Sequence, residues 1–189
     1  MENEKLENLN GIDVEGLQGF RKEIGKHKNK AMTDYNLNLQ WMGGTKTKVT
    51  TKGVTIGEEE EPKEFSFTVD EPEPLLGENS SPTPQEYLLG GMGACMMVGY
   101  TVGAAVKGIE LEKLEIDIKS GLDLRGFLEV DPDAPISLKD VKYVIRVKGD
   151  GTEKDFKEIH DKVINTSPNR ATVANPIDII PELIVEKDE

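Results

Sequence analysis

The sequence predicts an α+β fold built mainly from antiparallel strands, on three observations. Strand-like segments fall in two groups, and each group is followed by a helical segment rather than alternating strand by strand. Apolar and charged residues alternate in the later strands, as they do where one sheet face is buried and the other solvated. The longest uncharged run, Tyr87 to Val106, has the start signals of one long helix.

The first group is read from Tyr35 onward. "YNLNLQWMGGTKTKVTTKG" gives two strands around Gly43 and Gly44, a hairpin signal. The acidic run "GEEEEPKE" reads as a solvated loop and "FSFTVDEP" as another strand. Ahead of them, residues 1–33 are highly charged, yet Val14, Leu17, Phe20 and Ile24 recur at helical spacing. This predicts an amphipathic helical arm, lying on the main domain (34–189) or on a partner subunit.

Thr83, Pro84, Gln85 and Glu86 form a capping box in front of the uncharged run: Thr83 as N-cap, Pro84 at the first helical position, Glu86 reaching back. Its twenty residues suffice in length for a membrane span. Five of them, Gly90, Gly91, Gly93, Gly99 and Gly103, are glycines that add little apolar area, so a buried helix is expected and no membrane. Each glycine costs about 1 kcal/mol against alanine inside a helix. They make sense where another element approaches closely, and a second copy of the same helix is the expected neighbour, hence a homodimer.

The second group follows. Leu114, Ile116 and Ile118 alternate with charges, "DPDAPI" is a loop, and Val141, Tyr143, Ile145 and Val147 share one strand face. "GTEKDFKEIHDKVINT" reads as a helix with Phe156, Ile159 and Val163 inward. A short helix begins at "SPNRATVA", and a final strand is expected at "PELIVEK".

Composition narrows the function. In 189 residues, 23 Lys and Arg stand against 36 Asp and Glu, a net charge of -13, so phosphate backbones are repelled and nucleic-acid binding is not expected. The opening "MENEKLENLN" has no apolar signal core, and cytoplasmic residence is the expectation. No His/Asp/Glu cluster supports a metal, and "GGMGAC" lacks the ending of a phosphate-binding loop, so no cofactor is expected.

The one cysteine, Cys95, lies inside the glycine-rich helix and cannot form a disulfide within the chain. Taken alone it reads first as a small buried hydrophobe; a reactive thiol requires activation from another element or subunit. His160 and His27 are single histidines, read as structural or exposed.

"TPQEYLLGGMGACMMVGYTVGAAVKGIELEKLEIDI", with "SPNRATVANPIDI" downstream, resembles the OsmC/Ohr family over about residues 34–187. The resemblance implies an intertwined α+β homodimer, with sheets packed around two central helices per subunit. It also implies thiol-dependent reduction of organic hydroperoxides, in which one cysteine becomes a sulfenic acid and a second forms a disulfide with it. An external dithiol then reduces that bond. An Arg from the first hairpin and an acidic residue near the helix start serve the thiolate in that family.

Carried over residue by residue, Cys95 takes the peroxide-reacting position and Ser167 stands where the second cysteine would be. Gln85 falls on the acidic position, with Glu86 beside it, where the capping box already explains it. The hairpin offers Lys46 and Lys48 in place of the Arg. Arg170, three residues past Ser167, is either a source of positive charge or a solvent-facing residue, and Ser167 also reads as an N-cap before Pro168. The expected function is therefore an OsmC-like redox protein whose single cysteine is resolved by an external thiol. The alternative is a catalytically degenerate dimer binding a small apolar or thiol-containing ligand at the dimer interface.

Overall fold

Asn10 and Gly11 form a tight turn, both at positive φ, as a two-residue hairpin turn requires. In the computed structural model, which describes residues 8–186, this turn joins β1 (Asn8–Leu9) to β2 (Ile12–Asp13). Asn10 then ties the arm to the body: its Nδ2 donates to Ile109 O at 2.8 Å, and its Oδ1 accepts from Leu111 N at 2.8 Å. The amphipathic helix follows as α1 (Val14–Lys26), capped by Asp13 Oδ1, which accepts from Gly16 N at 2.8 Å. The hairpin before it leaves no mark in the helical spacing. The first seven residues of the expected arm lie outside the described residues.

A four-stranded antiparallel sheet comes next, from β3 (Thr33–Trp41), β4 (Thr47–Ile56), β5 (Glu59–Glu61) and β6 (Ser66–Val69). β4 is central, with β3 along one edge and β5 and β6 along the other. A bulge opposite Asn36 places Gly53 at φ +88, where glycine alone is unstrained. The "GEEEEPKE" run, expected to be a loop, supplies β5 instead. Strand pairing needs only backbone groups, so an edge strand can hold three exposed glutamates.

The predicted capping box is present at the start of α2 (Pro84–Val106): Thr83 N donates to Glu86 Oε2 at 2.8 Å, and Glu86 N donates to Thr83 Oγ1 at 3.3 Å. By length and composition α2 could cross a membrane, but Met92, Met96, Tyr100 and Ala104 are buried in the protein's own core. That core is completed by β7 (Leu111–Lys119) and β8 (Lys142–Gly149), then by α4 (Glu153–Thr166). In β7 and β8, Leu114, Ile116 and Ile118 sit opposite Val147, Ile145 and Tyr143, so the predicted alternation packs as one apolar face. Between them, the short α3 (Leu124–Phe127) is held by Asp123 and Arg125. The described residues end in α5 (Pro168–Ala174) and a segment without regular structure.

Among the described residues the strands form two separate antiparallel sheets, β3–β6 and β7–β8, plus the small arm hairpin. Two expectations need correcting. The final strand is absent over the described part of "PELIVEK": no neighbouring edge is offered, and Leu183, Ile184 and Val185 are exposed. Three of the five helix glycines are closely approached from within their own chain, while Gly90 faces open space. A Cβ on Gly93 would lie 2.7 Å from Ile118 Cδ1, one on Gly99 3.0 Å from Val163 Cγ2, and one on Gly103 3.0 Å from Ile159 Cγ2. These three make room for β7 and α4, so they carry no argument for a second helix.

Candidate functional site

Gly91, Cys95, Gly99 and Gly103 recur every four residues and so form one ridge along α2. Against that ridge lie, in reverse order, Asn169, Ser167, Val163 and Ile159. The two helices are thus antiparallel and close, the i, i+4 ridge of small residues on α2 receiving the side chains of α4. Where Gly99 and Gly103 accept Val163 and Ile159, Cys95 meets the junction of α4 and α5.

Ser167 is the residue at that junction, only 5% exposed. Its Oγ donates to Cys95 Sγ at 3.4 Å. The N-cap reading of Ser167 is half right: it occupies the N-cap position of α5, but its hydroxyl makes no capping bond and is given to the sulfur. Its backbone closes the joint, with Ser167 N donating to Val163 O at 3.0 Å and Ser167 O accepting from Ala171 N at 3.0 Å. Asn169 Nδ2 donates to Gly91 O at 3.0 Å and fastens α5 to α2 one turn above the cysteine. Cys95 itself is only partly shielded from solvent.

Arg170 is half-buried, its Nη1 donating to Ile164 O at 2.9 Å at the end of α4, so it is not a free surface side chain. Gln85 is half-buried and its side chain makes no hydrogen bond among the described residues; ten positions before Cys95, it lies about 15 Å away along the axis. Glu86 is exposed and spent on the cap. In the hairpin, Lys46 Nζ pairs with Glu78 Oε2 at 2.6 Å, and that bond raises the lysine's pKa. Within the chain, then, Cys95 and Ser167 are brought together, with Arg170 one turn on; Gln85 and Glu86 are not.

Two polar centres escaped the sequence reading. Asp70 is 1% exposed and accepts from the hairpin tip through Thr45 Oγ1 at 2.7 Å. Tyr100 OH bonds His160 Nδ1 inside the core, which bears out a structural His160; burial pushes the phenol's pKa well up. Nothing local marks either: an Asp at a strand end and a Tyr five residues past a Cys are ordinary patterns. Among the described residues, no group of three or more His, Cys, Asp or Glu side chains is placed to hold a metal.

Residues 77–182, which include the α2 ridge and its partners on α4 and α5, match the family model described as OsmC-like protein. The chain belongs to the OsmC-like family. The fold agrees with solved structures. An osmotic stress induced and detoxification response protein from Psychrobacter arcticus 273-4 superposes with a TM-score of 0.55 at 14% identity, over 72% of this chain and 85% of that one. An OsmC like protein from Mycoplasma pneumoniae gives 0.54 at 19% identity, over 76% and 87%. No curated protein matches the sequence. In this OsmC-like chain Ser167 lies against Cys95.

Proposed function

We propose that this protein is a thiol-dependent redox protein that reduces organic hydroperoxides through Cys95 alone. The observation that carries the reading is the 3.4 Å contact of Ser167 Oγ with Cys95 Sγ. The position that would hold the resolving sulfur is within reach of the reacting one, but a hydroxyl cannot form a disulfide. The thiolate sulfur attacks the peroxide, an S–O bond forms as the O–O bond breaks, and the alcohol leaves with a proton. An external thiol then displaces water from the sulfenic acid to give a mixed disulfide, and a second thiol releases Cys95 with an oxidised thiol pair as product. The expected result is that cumene hydroperoxide renders Cys95 reactive to a dimedone-type probe faster than free cysteine. An unlabelled Cys95 removes the proposal.

The working form in this reading is a cytoplasmic homodimer. Tyr35, Leu37, Leu39 and Trp41 line one face of β3 at 57–77% exposed. Leu88 and Val98 stand out from the free side of α2, and Ile177, Ile179, Ile180 and Leu183 from the C-terminal segment. Apolar surface of this extent is characteristic of an interface.

A second reading has one observation in its favour: Thr45 and Lys46, at the tip where the family has its Arg, are committed to Asp70 and Glu78. In it the protein binds a small apolar or thiol-containing ligand at the dimer interface without turnover. An open groove of about 400 Å³ lined by Pro82, Glu86, Tyr87, Gly90 and Gly91 offers apolar walls beside α2. Ligand binding that survives Cys95→Ser, in native mass spectrometry, distinguishes this reading from the first.

A further inference from the structure

Between β6 and α2, two adjacent carboxylates meet opposite treatment. Asp70 accepts five hydrogen bonds: Thr45 Oγ1 at 2.7 Å, Glu71 N at 2.9 Å, Glu78 N at 3.2 Å, Ser80 N at 3.1 Å and Ser80 Oγ at 2.8 Å. Five donors fix it as an anion, and the Thr45 bond first among them holds its carboxyl far below the usual range. Glu71 has the reverse surroundings. Its Oε2 is shielded from solvent and has no hydrogen-bond partner among the described residues.

The charges acting on Glu71 are Asp70, at the end of β6, and Glu86, in the first turn of α2; both are negative. Lys46, which feels Asp70, is hydrogen-bonded to Glu78. Burial first, then the Asp70 and Glu86 charges, push the Glu71 carboxyl above its ordinary value. Its backbone has no room to withdraw. Glu71 O accepts from Asn79 N at 3.0 Å, and Gly77 packs so tightly that a Cβ there would sit 1.7 Å from the same oxygen.

We infer that Glu71 is a proton-operated strap: protonated, it lets the 70–82 loop lie closed against the start of α2, and ionised, it sets a third negative charge beside Asp70 and Glu86 and loosens that loop. A group with a raised folded-state value contributes its stability in full below the unfolded value, 4.5, and loses it as pH rises through the folded one. Glu86 belongs both to the α2 cap and to the groove wall, so the loosening reaches both. The device stands whether or not Cys95 reacts with peroxides.

The test uses the full chain. A carbon-13 titration of the Glu71 carboxyl reads its protonation directly, and Tm is compared for wild type and Glu71→Gln between about pH 4 and pH 8. Expected are a Glu71 midpoint above 4.5, and a Tm gain of a few degrees in the variant at neutral pH that disappears toward about pH 4. A midpoint at or below the ordinary value overturns the inference. So does a variant that is less stable than wild type, unchanged, or equally more stable at every pH.

Discussion

The helical half of the molecule and the β3–β6 sheet bury their apolar residues to different degrees of completion. In the first, α2, α4, β7 and β8 close on one another: Met96 is 0% exposed and Val163 1%, and Gly93, Gly99 and Gly103 of α2 make room for β7 and α4. In the second, Val49 is buried and the Tyr87 ring lies 4.7 Å from that of Phe67, while Leu37, Leu39 and Trp41 on the same face remain bare. The difference teaches where one chain suffices. Cys95 and Ser167 meet within one chain, so their contact does not depend on a second copy. In the proposed dimer, the bare sheet face, with Leu88 and Val98 of α2, is where a second copy would act.

The comparison breaks most visibly under substitution of its two apolar sets. Met96→Ala removes a side chain with no solvent contact and costs about 2–5 kcal/mol in chemical denaturation. Gly103→Val, forced against Ile159, costs about 1–3 kcal/mol by overpacking. Leu39→Asp on the bare face leaves the monomer fold in place and moves the protein toward monomer in analytical ultracentrifugation. Equal destabilisation by all three would erase the distinction between the halves.

At the junction of the helices, Ser167→Cys restores a sulfur where the hydroxyl now touches Cys95. Mild oxidation should then give an intramolecular disulfide, seen as loss of both free thiols by mass spectrometry. Persistence of two free thiols would show that the 3.4 Å contact is not a competent geometry.

Smaller effects follow at the helix starts. Thr83→Ala and Thr152→Ala each remove a capping box and lower stability by about 1 kcal/mol. Asp155, which accepts from Thr152 and Lys107, has its pKa lowered to about 2 by those bonds, the Thr152 one first. A lowered value means stability that is present above the unfolded value of 3.8 and lost as pH falls toward 2. Asp155→Asn should flatten the acid limb of a Tm–pH profile, and an unchanged limb would contradict it. The smallest effect belongs to Lys157→Ala: its exposed i, i+4 pair with Glu153 is worth about 0.3–0.5 kcal/mol at most.

Legibility in the sequence tracked the range of the interaction. Both capping boxes obey local rules, and the Thr83 one was read correctly from four residues. The β7 and β8 faces were read from period-two alternation, and Ile159 and Val163 from helical spacing. The stripe Gly91, Cys95, Gly99 and Gly103 was visible as small residues, but its partner was not, because spacing on one helix cannot say whether the neighbour belongs to the same chain. The Asp70 cluster joins residues up to 25 positions apart through side-chain bonds and has no local signature. The strand expected at "PELIVEK" has the right side chains, yet a strand exists only beside another edge. Ser167 is the instructive middle case: its place before Pro168 gave the N-cap position, while the use of its hydroxyl was decided by the helix packed against it.

The central claim is that Cys95 alone carries hydroperoxide reduction, with Ser167 beside it in place of a resolving sulfur. Its most direct test is consumption of an organic hydroperoxide in the presence of dithiothreitol or dihydrolipoamide, comparing wild type with Cys95→Ala. Thiol-dependent consumption by wild type, abolished in Cys95→Ala, is the expected result. Equal rates in the two proteins would contradict it.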